Sequence, residues 1–378
     1  MNLKPAFSRF LEAKPGRLHF AAHSHHPWPD VSFDAHTKAW RDAAEMMDDK
    51  WDHVFGLVVS SARERIAAMI GISDAETITF APNTHEFVVR IFSCLEPPVR
   101  ILTSDAEFHS FNRQSRRWEE EGLAIVDRVP AEPYHTFTDR FTAEARPGTH
   151  DLVLLSEVFF DSGFVVPQID RIVSAVSEQK ALIVIDGYHA FMARPVNIGS
   201  IQDRVFYLAG GYKYAMAGEG ACFLHVPSGF CARPVNTGWF AGYGDLESGV
   251  PGQVPYATDG SRFAGATFDP SGIYRLDAVL RWLAEEGIGP EEISAHVGRL
   301  QEKFLSDAEA PGEIIPPTDM ARGNFLTYRT EEAAELYQQL HDRDVITDYR
   351  GDRLRIGFGI YHDEQDVDRL TKILSDIG

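Results

Sequence analysis

Three short apolar runs between residues 181 and 226 carry reactive side chains at their ends, and they constrain the fold more than anything else in the chain. Residues 182–185 read as a strand that stops on Asp186, with His189 three residues further on. Residues 205–208 read as a second strand running into Gly210-Gly211-Tyr212-Lys213-Tyr214, and 221–226 follow a glycine-rich turn as a third. Strands this uniformly apolar are covered on both faces, so their polar groups are reachable only at the rim of a sheet.

The flanking sequence supplies the rest of that sheet. From residue 77 strands and helices alternate: strand 77–80, helix 84–95, strand 100–103, helix 111–121, strands 124–129 and 152–159 separated by a polar loop, then a helix over 167–179 with proline at its first position. The alternation predicts an α/β fold whose largely parallel sheet carries helices on both faces. Upstream, residues 1–16 read as a polar arm, and a helical pattern over 33–70 stops at Gly71 as at a C-cap. Residues 227–272, rich in glycine, proline and aromatics, read as a functional loop. Beyond it come helices 275–286 and 290–305, strand 325–328, helix 331–341, strand 354–358 and helix 363–377. The expected division is 1–60 as an arm and helix partly in the small domain, 61–272 as the large domain, and 273–378 as a small C-terminal α/β domain.

Thirty-six basic against 56 acidic residues give a formal charge of −20, a field that repels nucleic acid and anionic membranes. Neither is an expected partner, and an anionic ligand needs a local nest of donors. Cys94, Cys222 and Cys231 form no CxxC pair, and an odd count argues against a disulfide framework. Cys222 sits within an apolar run, as a small core residue would. The N-terminus lacks the apolar run of a signal peptide and no stretch reaches transmembrane length, so the expected location is the cytoplasm.

An acid and a lysine at neighbouring strand ends suit a cofactor with a basic ring nitrogen and an aldehyde. Pyridoxal 5'-phosphate is that cofactor: a lysine amine adds to its aldehyde and a carboxylate pairs with its ring nitrogen. Its phosphate is expected at Ala81-Pro82-Asn83-Thr84-His85, where a strand passes into a helix whose N-terminus offers free N–H groups and a positive dipole end.

Asp186-x-x-His189 followed by Tyr212-Lys213-Tyr214 resembles the aminotransferase class V superfamily, and within it the kynureninases, with similarity from His23 to Tyr361. The resemblance implies the pyridoxal-phosphate transferase fold type I: a large domain with a mixed, mostly parallel sheet, a small α/β domain from the termini, and a homodimer sharing its active sites. It implies Lys213 as the Schiff-base lysine, Asp186 as the partner of the ring nitrogen, and His189 near the ring's phenolic oxygen. Asn83, Thr84 and Tyr212 align with phosphate contacts, Tyr212 being counted with Lys213 and Asp186 in the catalytic group. Trp239 resembles the start of the family's tryptophan motif, and Thr267 the residue reaching the phosphate across the dimer. Glu107-Phe108-His109-Ser110 resembles the segment that lays an aromatic ring over the cofactor, with His109 ranked ahead of Phe108. Arg355 resembles the arginine that grips the substrate's α-carboxylate, with Tyr361 at a family-like distance; Arg353 shares its strand face and is the rival.

Three segments depart from the kynureninase pattern. Ala22-His23-Ser24-His25-His26 stands for an Asn-Ser-Leu-Gly-like element, Trp239-Phe240-Ala241-Gly242 for Trp-Trp-Gly-His, and Ala266-Thr267-Phe268-Asp269-Pro270 for a Ser-Asn-Pro-Pro element. These face substrate in the family, so the cofactor is better defined than the amino acid. The expected activity is kynureninase-like hydrolysis of the Cβ–Cγ bond of a γ-keto amino acid, with class V aminotransfer as the alternative. Cysteine desulfuration is disfavoured because no cysteine lies in the late loop. His23 and His25 are candidate substrate contacts; their H-x-H spacing also raises a remote alternative, a metal-dependent amidohydrolase that would recruit His189, His225 and Lys213.

Overall fold

A computed structural model describes residues 2–145, 148, 150–176, 180–244 and 252–377. Its strands are β1 (Leu18–His19), β2 (Ile78–Ala81), β3 (Val99–Ser104), β4 (Ala124–Val129), β5 (Leu152–Ser156), β6 (Leu182–Asp186), β7 (Phe206–Gly210), β8 (Cys222–His225), β9 (Glu313–Ile315), β10 (Phe325–Arg329), β11 (Val345–Ile346), β12 (Asp348–Arg350) and β13 (Arg353–Gly357). Seven of them form the large sheet in the order β2-β8-β7-β6-β5-β3-β4. All neighbours are parallel except β8, which runs antiparallel to both β2 and β7.

The apolar runs explain the layers. Side chains alternate across a strand, so Ile183 and Ile185 of β6 enter one hydrophobic cluster while Leu182 and Val184 enter the other. Register then decides where the polar ends meet. Asp186 pairs with Ser156 of β5 and with Leu208 of β7, so three parallel strands finish on one rim. In open α/β sheets ligands bind outside such carboxyl ends.

A second sheet, ordered β12-β13-β10-β9 and antiparallel, comes from the C-terminal part. The N-terminal segment is stitched to the same region: β1 pairs in parallel with β11, and Ala21 bridges Gly357. That pairing carries residues 22–26 to the mouth of the large sheet.

Several elements differ from expectation. The polar stretch between β4 and β5 holds a helix, Phe137–Glu144, seated by the fully buried Phe137 and Phe141; two aromatics at i and i+4 suffice where the rest of the pattern is polar. The helix expected from Pro167 begins later, at Ile169–Ala175, because Gln168 takes a positive φ of 57° and Pro167 stays outside it; residues 177–179 lie beyond the described set. The helical pattern over 33–70 divides into Asp30–Met46, two short turns, a π-turn at Val54–Val59 and Ser60–Ile70, which Gly71 closes at φ 72°. Of residues 227–272, the described part holds short 3₁₀ turns at Trp239–Gly242 and Gly260–Phe263 and, at its end, the first residues of the helix Ser271–Glu285; 245–251 lie outside it. Among the described residues no helix is long and apolar enough to cross a membrane.

Candidate active site

A cavity of about 470 Å³ opens at the carboxyl ends of β5 to β7, and Asp186, His189, Tyr212 and Lys213 all line it. Asp186 accepts a hydrogen bond from the Tyr188 N–H at 2.9 Å. Burial raises its carboxyl to about 6, against the opposing pull of that hydrogen bond and of the Lys213 charge. Two further acids stand close behind, Glu107 buried and Glu157 partly buried. Glu107 accepts from Ser104 Oγ (2.6 Å) and from the Ser156 N–H (3.1 Å), and Glu157 accepts from Tyr207 Oη (3.2 Å). Burial pushes each up to about 7, and the Asp186 charge adds to the effect. A cationic ring nitrogen beside Asp186 would supply the positive charge that this acidic rim lacks.

Lys213 follows β7 at the same rim. Its amine is hydrogen-bonded to His189 Nε2, and burial draws it down to about 7, with Asp186 raising and Arg355 lowering it. A desolvated amine that is partly neutral at physiological pH is a competent nucleophile and base. Burial and the Lys213 charge keep His189 well below the usual histidine range, and its Nδ1 is buried without a partner. At the opposite wall Asn83 caps the helix Thr84–Phe92, its Oδ1 accepting from the Glu86 N–H at 3.1 Å. Pro82, Asn83, Thr84 and His85 line the cavity there, at a helix N-terminus.

The third wall comes from the chain ends. Arg355 is 3% exposed; it donates through one terminal nitrogen to Asp348 and through the other to the Phe160 carbonyl, while its Nε is buried without a partner. Asp348 faces Arg355 across the β12–β13 register and also accepts from Arg350 Nη1 at 2.7 Å. His23, 1% exposed, stacks on Phe325 at 4.6 Å between ring centroids and places Nε2 3.8 Å from Asp348 Oδ2. Neither of its nitrogens has a hydrogen bond. Its Nδ1 edge lies against Gly357, where a Cβ would come to 2.0 Å, so a side chain at that position would dislodge the imidazole.

Not every expected residue reaches the cavity. Phe108 lines it, with Lys213 Nζ 5.4 Å from its ring centroid, whereas His109 turns into the adjoining cleft beside Arg113 and packs edge-on against Phe160 at 4.9 Å. His25 stands edge-on to Tyr212 at 5.4 Å, outside the cavity. His225 binds Thr77 Oγ1 and the Gln202 carbonyl, each at 2.8 Å. The set imagined for a metal is therefore not assembled, and among the described residues no group of three or more His, Cys, Asp or Glu is placed to hold a metal ion. Trp239 Nε1 donates to Thr267 Oγ1 at 2.8 Å, and neither residue lines the cavity. Arg353 is engaged by Asp161 and Glu132, and Tyr361 donates to the His19 carbonyl at 2.6 Å; both sit behind the wall. Cys222, expected as core, is buried but also forms part of the cavity lining.

Asp348, Arg350, Glu157 and Tyr188 were not singled out from sequence. A signal for the first two existed. Gly351-Asp352 is a two-residue hairpin turn, and closing it pairs Arg350 with Arg353 and so Asp348 with Arg355.

The donor set fits pyridoxal phosphate: an acid at an otherwise carboxyl-rich end, a lysine amine of lowered basicity, the unpartnered Nδ1 of the His189 ring that meets that amine through Nε2, and a helix N-terminus lining the same cavity. Similarity to known proteins agrees with the geometry. The aminotransferase class-V family model matches residues 41–315, and the kynureninase C-terminal domain model matches 294–374. The chain is similar to isopenicillin N epimerase of Streptomyces clavuligerus, 29% identical over 367 residues, covering 88% of this chain and 87% of that one. It is similar to kynureninase of Shouchella clausii (strain KSM-K16), 23% identical over 317 residues, covering 80% and 73% respectively. Among solved structures it resembles a mutant of C-DES with glycine covalently linked to the pyridoxal phosphate cofactor, at a TM-score of 0.83 and 18% identity, over 98% of this chain and 99% of that one.

Proposed function

The chain belongs to the aminotransferase class V family of pyridoxal-phosphate enzymes, and from that premise we propose that it is a kynureninase-like hydrolase cleaving the Cβ–Cγ bond of a γ-keto amino acid. One observation carries the reading: the same cavity holds a lysine amine lowered to about 7 and, across from it, an unpaired buried guanidinium edge. The second of these is a grip for a substrate carboxylate. Asp348 and the Phe160 carbonyl hold the terminal nitrogens of Arg355, so its Nε edge is the part left to meet an anion, with His23 Nε2 3.8 Å from the same Asp348. The match of the kynureninase C-terminal model over 294–374, the segment that supplies Asp348 and Arg355, supports the hydrolytic branch.

When bound, pyridoxal phosphate supplies the electron sink that lets a Cα–H bond break. The chain supplies position and proton handling. Asp186 places its carboxylate at the ring-nitrogen end, and the Thr84–Phe92 helix turns its N-terminus toward the phosphate. Phe108, lining the cavity, is the better-placed aromatic for the ring than His109. Arg355 fixes the substrate's carboxylate, and with it the orientation of Cα. Lys213 takes the proton from Cα, with His189 hydrogen-bonded to its amine. Trp239 and Thr267, bonded to each other and outside their own cavity, are offered to the phosphate end of a second copy, in a homodimer with shared sites.

A second reading, inversion at Cα without bond cleavage, is favoured by the 29% identity to an epimerase over 88% of the chain. One experiment separates the outcomes. The loaded protein is incubated in heavy water with L-kynurenine and with a panel of L-amino acids. Anthranilate and alanine support the hydrolase; a keto acid indicates aminotransfer; deuterium at Cα with loss of optical purity indicates epimerisation. No cleavage, no transfer and no α-hydrogen exchange with any amino acid would sink the proposal.

A further inference from the structure

We propose that the basic cleft adjoining the cavity is a second anion site, and that the amino acids this protein takes carry a carboxylate at the far end of the side chain. The proposal rests on the reading above, in which an amino acid is bound through Arg355, and names the class of that amino acid. His85 and Ser110 line both the cleft and the cavity, so the two spaces meet there.

The cleft follows from one helix. In His109–Glu120 the buried residues are Phe111, Ser115 and Trp118, spaced i, i+4 and i+7, and Trp118 stacks on Phe92 at 3.7 Å between ring centroids. The other face is turned outward, and helical spacing gathers Arg113, Arg116 and Arg117 on it. Against them the cleft lining holds one carboxylate, Glu120, which pairs with Arg117, as Glu121 also does. The acids adjacent in sequence are engaged elsewhere, Glu119 by Arg128 at 2.7 Å and Glu86 by Arg90 at 2.6 Å. Arg116 donates to Asn112 Oδ1 at 2.9 Å, and among the described residues neither it nor Arg113 has an acidic partner. Two guanidinium groups are thus left uncompensated beside the cavity of a chain whose formal charge is −20. They form the local nest of donors that an anion needs to approach so acidic a protein. The imidazoles of His85 and His109 line the same cleft and can add hydrogen bonds.

A guanidinium fork takes a carboxylate in two parallel bonds, and a substrate gripped at both ends has its Cα fixed between them. In the hydrolytic branch water adds across the Cβ–Cγ bond, its hydroxyl to the acyl carbon and its hydrogen to Cβ. The products are then alanine and a dicarboxylic acid.

The test is titration of the cofactor-loaded protein, followed by the change in its visible band. The probes are L-glutamate, L-2-aminoadipate and L-2-aminopimelate, each against its own ω-amide. At least one acid should bind about three- to tenfold more tightly than its amide, and raising the salt from about 0.01 M to about 1 M should erase the difference. Arg113→Gln combined with Arg116→Gln removes both charges and keeps polar side chains. It should abolish the preference and leave the amides and the cofactor bound as in the wild type. Far-UV dichroism and the thermal midpoint establish that the double variant folds. Amides bound as well as acids by the wild type overturn the second site, as does a preference that the double variant retains. A double variant that loses cofactor affinity would assign the arginines to the phosphate, and one that changes oligomeric state at unchanged preference would make the cleft an interface between copies; either overturns the second site. A wild-type band that responds to neither acids nor amides overturns the parent reading, and the second site with it.

Discussion

The two ends of the cavity are built from opposite kinds of sequence information. Asp186 and Lys213 stand at the ends of neighbouring strands of one sheet, β6 and β7, and their approach follows from one parallel register. His23, Asp348 and Arg355 are brought together by long-range pairings, Leu18 with Val345, Ala21 with Gly357, and Asp348 with Arg355. The charge logic differs as well. The sheet end is crowded with carboxyl groups that burial makes hard to ionise, whereas the termini contribute two arginines held around one carboxylate. The first environment suits a fixed cationic cofactor and the second suits an anionic visitor. An enzyme can keep the first and vary the second.

The sharpest way to break that division is at the lysine. Lys213→Ala should cut turnover about 10³-fold or more, the scale of losing a positioned proton carrier, while the protein folds and still binds the substrate's carboxylate. Steady-state kinetics and a thermal midpoint decide it; turnover near wild type would refute the assignment. Arg355→Lys attacks the other end. It keeps a cation for Asp348 but loses the Nε edge and the bond to the Phe160 carbonyl, so KM should rise roughly 10²-fold with cofactor affinity unchanged. An unaltered KM would mean that the carboxylate is held elsewhere.

That asymmetry also explains what could be read in the sequence. The α/β alternation, the strand ends at Asp186 and Lys213, and the helix opening at Thr84 are local patterns, each within one or two elements. The Phe137–Glu144 helix was hidden because its buried face is only Phe137, Thr138 and Phe141, two of them the apolar residues that seat it. Among His23, His25 and His26 no pattern distinguishes the roles, since each is decided by tertiary neighbours. His23 meets Phe325 and Gly357, His25 meets Tyr212, and His26 binds the Pro27 carbonyl and packs on Tyr361. Glu107 and Glu157 likewise show no chemistry in sequence; their burial beside Asp186 exists only once β5 and β6 are in register.

The acidic end makes a pH prediction whose sign can be worked out. Glu107, Glu157 and Asp186 all titrate higher in the folded protein than carboxyls in the unfolded chain. Their contribution is fully present below about pH 4 and is lost as pH rises through roughly 6 to 7. Between pH 5 and pH 8 the cofactor-free wild type should therefore lose stability relative to Glu107→Gln, which cannot ionise, by on the order of 2 kcal/mol. Thermal midpoints of both proteins across that range provide the check. Parallel curves would show that Glu107 does not carry the effect, and would weaken the contrast between the two ends.

The smallest effect is expected from the residue nearest in sequence to one of the largest. Arg353 and Arg355 lie on the same face of β13, two residues apart, and alternation alone cannot rank them. Their partners do. Arg353 is engaged by Asp161 and Glu132 and does not line the cavity, while Arg355 lines it and keeps a buried Nε free of partners. Replacing Arg353 by alanine removes an ion pair whose side chains are 20% and 22% exposed, which should cost about 1 kcal/mol of stability. It should leave kcat/KM within about twofold, because no donor to the substrate is lost. Denaturant midpoints and kinetics run beside Arg355→Lys make the comparison direct. A KM that rises for Arg353→Ala as steeply as for Arg355→Lys would show that the carboxylate is bound by the outer arginine, and that the unpaired Nε edge is not the grip.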